Sequence, residues 1–532
     1  MKTLVTFLLA AFAISAGAQN VLYGPIVGGV TDASCRVFVE TDAATAFRVE
    51  LSTDPGFSVI NTSAGGNTDA NNANAGIVTL TGLAQNVKYY VRVKINNTPT
   101  GDVAEFRTFY TAGLTPHQVF LTGACINNFT DIDSNIFVAA RNENARAFIQ
   151  MGNWGYPDVN GCTDIYLSNP PTSWATNYSK VQNIYQQRYG STNSAALLKS
   201  LPLDYVYDDH DYMNKNTGEQ EVLGYVINLT IDIYGSPHAY TQPASARSNS
   251  ILGYTQWFPG YSLPDTSQGI YHSFRSGNAE FFVLDTRSKR GPKVLSVDTV
   301  GNTSTWDYEP DPNSHILGTA QMDWLKTALT NSTATWKFIV SSVPFNVGER
   351  FALDTLLKLG NASVSYWPPN VSCFPLLPSK GFSATNNFAD MWAGYKADGD
   401  TLLNYVLGND IKNVFVLSGH SGTVGLDDGV NSGLPELMSG NMKIANSQDA
   451  LLYQQFMKFN IWDLGGSGLC QQDNYNTTYG RVEIFGNDSI RLSAVDNTGT
   501  EVVGANFYAN AAYKYNPNYR PERLPVAAND VV

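Results

Sequence analysis

Between residue 21 and about 108 the chain alternates apolar and polar positions in short runs. CRVFVET, AFRVELS, GIVTLTGL, KYYVRVKI and AEFRTF are parted by clusters of Gly, Asn, Asp and Thr. Alternation sets one face of a strand on a core and the other in water, so these runs predict a small β-sandwich over 20–110. GGNTDANNANAG is too polar and Gly-rich to pack and reads as a loop. Beyond Thr111 the pattern changes. HQVFLTGACINN, ARAFIQMGNWGYPD, AEFFVLDTR, TWKFIVSSVPF and IKNVFVLSGHSG run apolar and then break, most of them into Gly, Asn or Asp. Helical stretches lie among them: TDIDSNIFVAARNENARA, TNYSKVQNIYQQRYGSTNSAALLKS and LGTAQMDWLKTALTNS. Strand followed by helix, repeated, predicts an α/β core whose functional loops follow the strand ends. YGRVEIFG and SIRLSAVDNTG predict a β-hairpin capping one sheet. The α/β domain is expected over 111–505, with a C-terminal tail over 506–532.

Within the first region, Leu83 is followed six residues later by Tyr89 and then by Val-Arg-Val. This resembles the tyrosine corner of fibronectin type III sandwiches, in which the phenol ties a corner to nearby backbone. The region is expected to fold as a separate unit that supplies no metal ligand.

The first residues carry an export pattern: Lys2, an apolar run from Leu4 to Ile14, and small residues at Ala16-Gly17-Ala18. A signal peptide over 1–19 and a secreted or cell-surface protein are expected. No segment has 18 consecutive apolar residues, so no transmembrane span is expected. Eleven Asn-x-Ser/Thr sequons are compatible with a glycoprotein.

Lys and Arg number 33 against 46 Asp and Glu, a formal charge of −13. Such a chain lacks the basic footprint of a nucleic-acid binder. Charged residues are only 15% and hydrophobic ones 43%, which excludes a disordered chain. The 29 Tyr and the low charge suit an assembly surface, so a homo-oligomer or extracellular assembly is among the expectations. Five Cys (Cys35, Cys125, Cys162, Cys373, Cys470) allow at most two disulfides and leave one thiol over.

Several strand ends finish in oxygen, nitrogen or sulfur ligands. The first gives Cys125; the second gives Asn153, Tyr156 and Asp158; a third gives YDDHDYMNKN, Tyr207 to Asn216. Hard cations take carboxylate, amide and imidazole groups converging from separate strands. The acidic run equally suits a helix cap or a turn. It follows the apolar LPLDYVY directly and holds one of only six His, which favours a site.

These residues, with QWFPGYSLPD, GIYHSFRSGNAEFFVLDTRSKR, HILGTAQMDWLKTAL, STATWKFIVSSVPFN and VFVLSGHSGTVGLDDG, resemble the PhoD-type alkaline phosphatase (alkaline phosphatase D) family of calcineurin-like metallophosphoesterases. The resemblance implies a four-layer α/β sandwich behind the fibronectin III-like sandwich. It implies hydrolysis of phosphate mono- or diesters by metal-activated water, with iron and calcium as cofactors and a phosphate ester as substrate. It places Cys125, Asn153, Tyr156, Asp208, Asp209, Asn214, Asn216 and His420 at metal positions. His210 and Asp209 are the catalytic candidates, and Arg287 and Arg290 the candidates for holding substrate phosphate. A buried Asp–Arg brace is the other reading of the two arginines. One Cys on metal would leave four for disulfides and account for the odd thiol.

Where the family has GD this chain has Gly152-Asn153, and where it has SGD-x-H this chain has SGHSG, with His420 and Gly422. Asn153 replaces a charged bridging carboxylate with a neutral amide, and Gly422 offers no ligand. Two functions follow: a phosphoesterase whose altered site still binds metal, or a weak or inactive pseudophosphatase serving as an extracellular binding, surface or structural assembly protein.

Overall fold

The computed structural model describes residues 19–126, 134–157, 173–213, 218, 244–291, 296–300, 303–307, 314–350, 390–440, 442, 462–464, 470–471, 474–475 and 477–515. Residues 1–18, nearly all of the expected signal peptide, and Asp158, Cys162, Asn214, Asn216, Cys373 and the last 17 positions of the 532 therefore lie outside the described residues.

Seven strands open the fold: β1 (Val21–Gly28), β2 (Ser34–Thr41), β3 (Ala46–Ser52), β4 (Thr62–Asn67), β5 (Ala75–Thr81), β6 (Lys88–Ile95) and β7 (Thr98–Arg107). They form two facing groups, β1-β2-β5 and the four-stranded sheet β4-β3-β6-β7. Alternation explains the pairing: in β6, Tyr89, Val91, Val93 and Ile95 are buried while the residues between them are half-buried. At the expected corner the Ala84 N–H donates to the Tyr89 hydroxyl at 3.1 Å. The junction with the next region is closer than two independent units would give. β1 pairs in parallel with β10 (Leu203–Tyr205) through Gly28 and Leu203, and one hydrophobic core runs from β1–β7 into the α/β region.

Further strands follow: β8 (His117–Gly123), β9 (Phe148–Gln150), β11 (His272–Ser276), β12 (Ala279–Val283), the hairpin β13 (Ser296–Val300) and β14 (Thr303–Asp307), β15 (Trp336–Ser341), β16 (Val414–Ser418), β17 (Val424–Asp427), β18 (Glu436–Ser439), the short pair β19 (Cys470–Gln471) and β20 (Asn474–Tyr475), β21 (Thr478–Phe485), β22 (Ser489–Asp496) and β23 (Glu501–Tyr508). Two large sheets result, ordered β23-β22-β21-β8-β9-β10-β1-β2-β5 and β11-β12-β15-β16-β18-β17. Each has a parallel centre, β8-β9-β10 in one and β12-β15-β16-β18 in the other. The expected C-terminal hairpin is present as β21–β22 and caps the first sheet by pairing β21 with β8. It gains a third strand, β23, so 506–508 belong to the sheet rather than to a tail. Past β23, the Tyr513 hydroxyl donates to Ile411 O at 2.8 Å.

The apolar runs pack on both faces. Phe281, Phe338, Val340, Phe415 and Leu417 point between the sheets, where the Phe281 ring lies 4.6 Å from Phe120 and 4.8 Å from Phe338. Their neighbours Phe282, Ile339, Val414 and Val416 point outward onto the helices over Thr319–Asn331 and Lys396–Gly408. Period-two burial on both sides is what parallel strands under helical cover require.

The cysteine arithmetic needs correcting. Neither Cys35 nor Cys125 is in a disulfide. Cys35 lies on β2 in the core, where burial pushes its thiol far up, so four disulfide-forming cysteines are not available.

Candidate metal centre

Six strand ends meet on one side of the two sheets. β8 leads to Cys125, β9 to Asn153 and Tyr156, β10 to Asp208 and Asp209, β12 to Arg287 and Arg290, β15 to Ser342 and β16 to His420. Ligands in open parallel sheets gather beyond the carboxyl ends of the strands, and this convergence places the site there. A Cβ on Gly419 would strike Ala124, Met151 and Ser342, so only a bare backbone lets three of these ends close around β16.

Three site residues adopt left-handed backbone: Cys125 (φ 58°), Asn153 (φ 54°) and His420 (φ 69°). For non-glycine residues this costs roughly 1–2 kcal/mol each, least for Asn. The chain turns sharply at the end of three strands and aims those side chains at a common point, a concentration of strain found at functional sites.

Asp208 caps the one-turn helix Asp209–Tyr212, and Asp211 reaches back to accept from Asp208 N at 3.2 Å. The acidic run is thus a helix cap and part of the site together. Its members divide by role. Asp211 is structural: it accepts from Trp154 N at 2.8 Å and from Arg188 Nη2 at 2.6 Å. Burial raises its carboxyl to about 6, although Arg188 opposes the rise. Asp208, Asp209 and His420 converge, with donor atoms all within 4.8 Å of one another. The His420 Nδ1 lies 2.6 Å from Asp208 Oδ2 and 3.8 Å from Asp209 Oδ1. The His210 ring lies against Tyr156, centroids 4.3 Å apart.

A second group stands beside this one. The Cys125 thiol donates to His420 O at 3.2 Å, and the Asn153 amide nitrogen lies 3.9 Å from the sulfur. Burial, followed by the adjoining Cys125, raises the Tyr156 phenol well above its ordinary value. Asn153 is 2% exposed, and its Oδ1 has no hydrogen-bond partner.

Arg287 is a brace rather than a phosphate fork. Its Nε donates to Asp208 Oδ1 at 2.8 Å, while Nη1 and Nη2 grip Asp390 at 3.1 and 2.7 Å. Arg290 also binds Asp390, at 2.5 Å, and donates from Nε to Thr286 O. Its Nη2 has no partner, so Arg290 keeps one buried donor for another ligand. Asp285 pairs with neither arginine side chain; it accepts from Tyr207 and from the backbone of Ile270, Arg287 and Ser288.

Sequence reasoning missed Asp390 and Ser342. Asp390 is an isolated acid with no local signal; Ser342, which donates to Asp208 Oδ1 at 2.9 Å, shared with the recognised residues a place just past an apolar strand.

Residues 120–425 match the PhoD-like phosphatase family, more than half of the chain. The chain belongs to the PhoD-like phosphatase family. A 245-residue stretch is 25% identical to alkaline phosphatase D of Bacillus subtilis (strain 168), covering 44% of this chain and 34% of that protein. The chain thus spans about a third of the length of that curated relative. In fold it is similar to the solved structure of PhoD, with a TM-score of 0.63 at 17% identity over 92% of this chain and 93% of the other. It is also similar to a purple acid phosphatase from yellow lupin seeds, with a TM-score of 0.52 at 9% identity over 91% and 74%.

Among the described residues, the donors at these strand ends fit one cation rather than several. Asp208, Asp209 and His420 are in mutual reach, and the Asn153 Oδ1 is an oxygen without a partner. Among the described residues a set of cations sharing a bridging carboxylate is not provided for, because Asn153 is neutral, Gly422 has no side chain and Asp208 Oδ1 is held by Arg287 and Ser342.

Proposed function

We propose that this protein is an exported hydrolase of phosphate mono- or diesters that works with a single cation at Asp208, Asp209 and His420. The observation that carries this reading is the convergence of those three donors at the strand ends of a PhoD-like fold. Charge supports the limit of one. Three carboxylates (Asp208, Asp209, Asp390) face two guanidiniums (Arg287, Arg290), leaving one negative charge for an imidazolium or a cation. Iron or calcium, the metals of the family resemblance, are the first to test.

When bound, such a cation would acidify water and offset negative charge on the phosphoryl oxygens. The chain's own residues do the remaining work. Arg287 fixes Asp208 from one side and His420 from the other, so the carboxylate is oriented before any substrate enters. The Arg290 Nη2 offers a charged hydrogen bond to a phosphate oxygen. His210, buried beside Tyr156, is the candidate to protonate the leaving alkoxide. Export rests on Lys2 and the Leu4–Ile14 run, and a fibronectin-like N-terminal module rests on the three-plus-four strand pairing and the Tyr89 corner.

The test is hydrolysis of an aryl phosphate monoester and diester by chelator-stripped protein reloaded with iron, calcium or zinc. Turnover should return with one equivalent of metal and be lost in Asp209→Asn and His420→Ala. Equal turnover by stripped protein, or by Asp209→Asn, would sink the reading.

A further inference from the structure

Apart from the Asp208–His420 group, two buried glutamates flank the strands β15–β18, Glu349 and Glu436, and neither makes an ion pair among the described residues. Glu349, 1% exposed, follows β15; neither of its carboxylate oxygens has a hydrogen-bond partner. Glu436 opens β18 and is fully buried. Its Oε1 accepts from Ser418 Oγ at 2.6 Å and Phe345 N at 2.9 Å, while its Oε2 has no partner. The loop that carries Glu349 is seated on Glu436, through Phe345 N on the Glu436 Oε1 and Glu349 N on Asn346 O. Burial and then the Glu436 charge raise the Glu349 carboxyl strongly, and burial takes Glu436 itself to about 7.

We propose that Glu349 and Glu436 form the anionic part of a second cation site, for a hard divalent ion of the calcium class, that fastens the loop after β15 to the β16–β18 strands. Three buried carboxylate oxygens without partners are costly unless a proton or a cation meets them. Among the described residues the donors here are oxygen, which selects a hard ion. The loop is already shaped around the place. Glu349 N donates to Asn346 O at 3.0 Å, and Gly348 N donates to Asn431 O at 3.1 Å, which docks the loop on the turn between β17 and β18. Asp427, opposite Glu436 in the strand pair, adds negative potential without being a ligand. Its oxygens are taken by Gly429, Asn431 and Ser432.

The experiment uses the full chain, stripped with chelator and dialysed against calcium chloride, with bound calcium counted and thermal unfolding followed. Wild type, Glu349→Gln, Glu436→Gln and Asp209→Asn are compared. Glu349→Gln is nearly isosteric and breaks no hydrogen bond, so it keeps the fold. Each Gln variant should bind one calcium fewer than wild type and lose the stabilisation that ion brings, whereas Asp209→Asn should keep the Glu349–Glu436 calcium and its stabilisation. At free calcium a hundredfold above Kd, the folded-to-unfolded ratio of wild type should rise about 100-fold. Equal calcium content in wild type and both Gln variants, or no stabilisation of wild type by calcium, would overturn the site and leave the two acids sharing a proton.

Discussion

The Nδ1 of His420 lies 2.6 Å from Oδ2 of Asp208, whose other oxygen is held by Arg287. A carboxylate expected to face cations is thus flanked on both sides by nitrogen donors of the protein. Arg287 supplies charge permanently, since a guanidinium does not lose its proton in proteins. His420 is the adjustable partner, 10% exposed at its side chain and able to exchange a hydrogen bond for a ligand role.

Removing Arg287 should therefore be far more damaging than removing Arg290. Arg287→Met leaves buried Asp208 and Asp390 short of a fully buried counter-charge, a loss of about 3–5 kcal/mol. Arg290→Met leaves Asp390 its bidentate grip on Arg287. Urea unfolding of the two variants would measure the difference. Equal destabilisation would mean that the brace is not centred on Arg287.

Gly152 is a second sensitive point. It has φ +92°, and a Cβ there would collide with the backbone and Cβ of Asp208. Gly152→Ala should cost about 2–5 kcal/mol, the sum of a left-handed alanine and overpacking against backbone. It should also displace Asp208, so metal content should fall in the fraction that still folds. Normal metal uptake by folded Gly152→Ala would show that Asp208 is not the ligand held against that turn.

A pH effect on stability should come from His272, far from the metal ligands in sequence. Its Nδ1 donates to Ile270 O at 2.8 Å and its Nε2 to Asp204 at 3.0 Å, so both ring nitrogens carry protons. Burial alone would lower its pKa, but the Asp204 carboxylate and the Ile270 carbonyl together raise it above the ordinary 6.5. A raised folded pKa gives stability that is full below about 6.5 and lost as pH climbs through the folded value. The difference in unfolding free energy between wild type and His272→Gln should shrink from pH 6 towards alkaline pH. A difference that is flat or grows over that range would contradict the charged pair.

The sequence carried the strands and their ends well, because buried parallel strands must be apolar runs and must stop where the chain turns into polar loops. Asp208 and Asp209 were visible for the same reason, as acids directly behind such a run. Arg287 was ambiguous on its own: an arginine after a strand serves phosphate or a carboxylate, and the choice depends on Asp390, which no local pattern marks. The link between the two regions was also hidden. It is made by the parallel bridge from Gly28 to Leu203 and by a shared hydrophobic core, contacts between distant residues that leave no periodic signature. Cys35 misled because the count of thiols treats a core cysteine and a bridging one alike.

The last prediction concerns restoring the family's ligands. Asn153→Asp and His420→Asp are tolerable for the backbone, since Asp accepts left-handed φ better than most residues. Gly422→His is harder: φ is +64°, so the histidine carries a strain of roughly 1–2 kcal/mol, yet a Cβ there meets nothing within 4 Å. The triple variant should thus fold with modestly reduced stability. It adds two carboxylates to a pocket where the charge is already nearly balanced, so without metal it should be less stable still and with metal it should recover. Metal content should rise above wild type before turnover does, because binding needs only ligands whereas turnover also needs an aligned attacking water. Asn153→Asp alone should raise metal content only partly, because ligands of one cluster do not act additively. The measurements are metal content, metal-dependent shift in unfolding temperature, and hydrolysis of an aryl phosphate across alkaline pH. A triple variant that is no more metal-rich than wild type would show that Arg287, rather than the missing ligands, excludes further cations from the pocket.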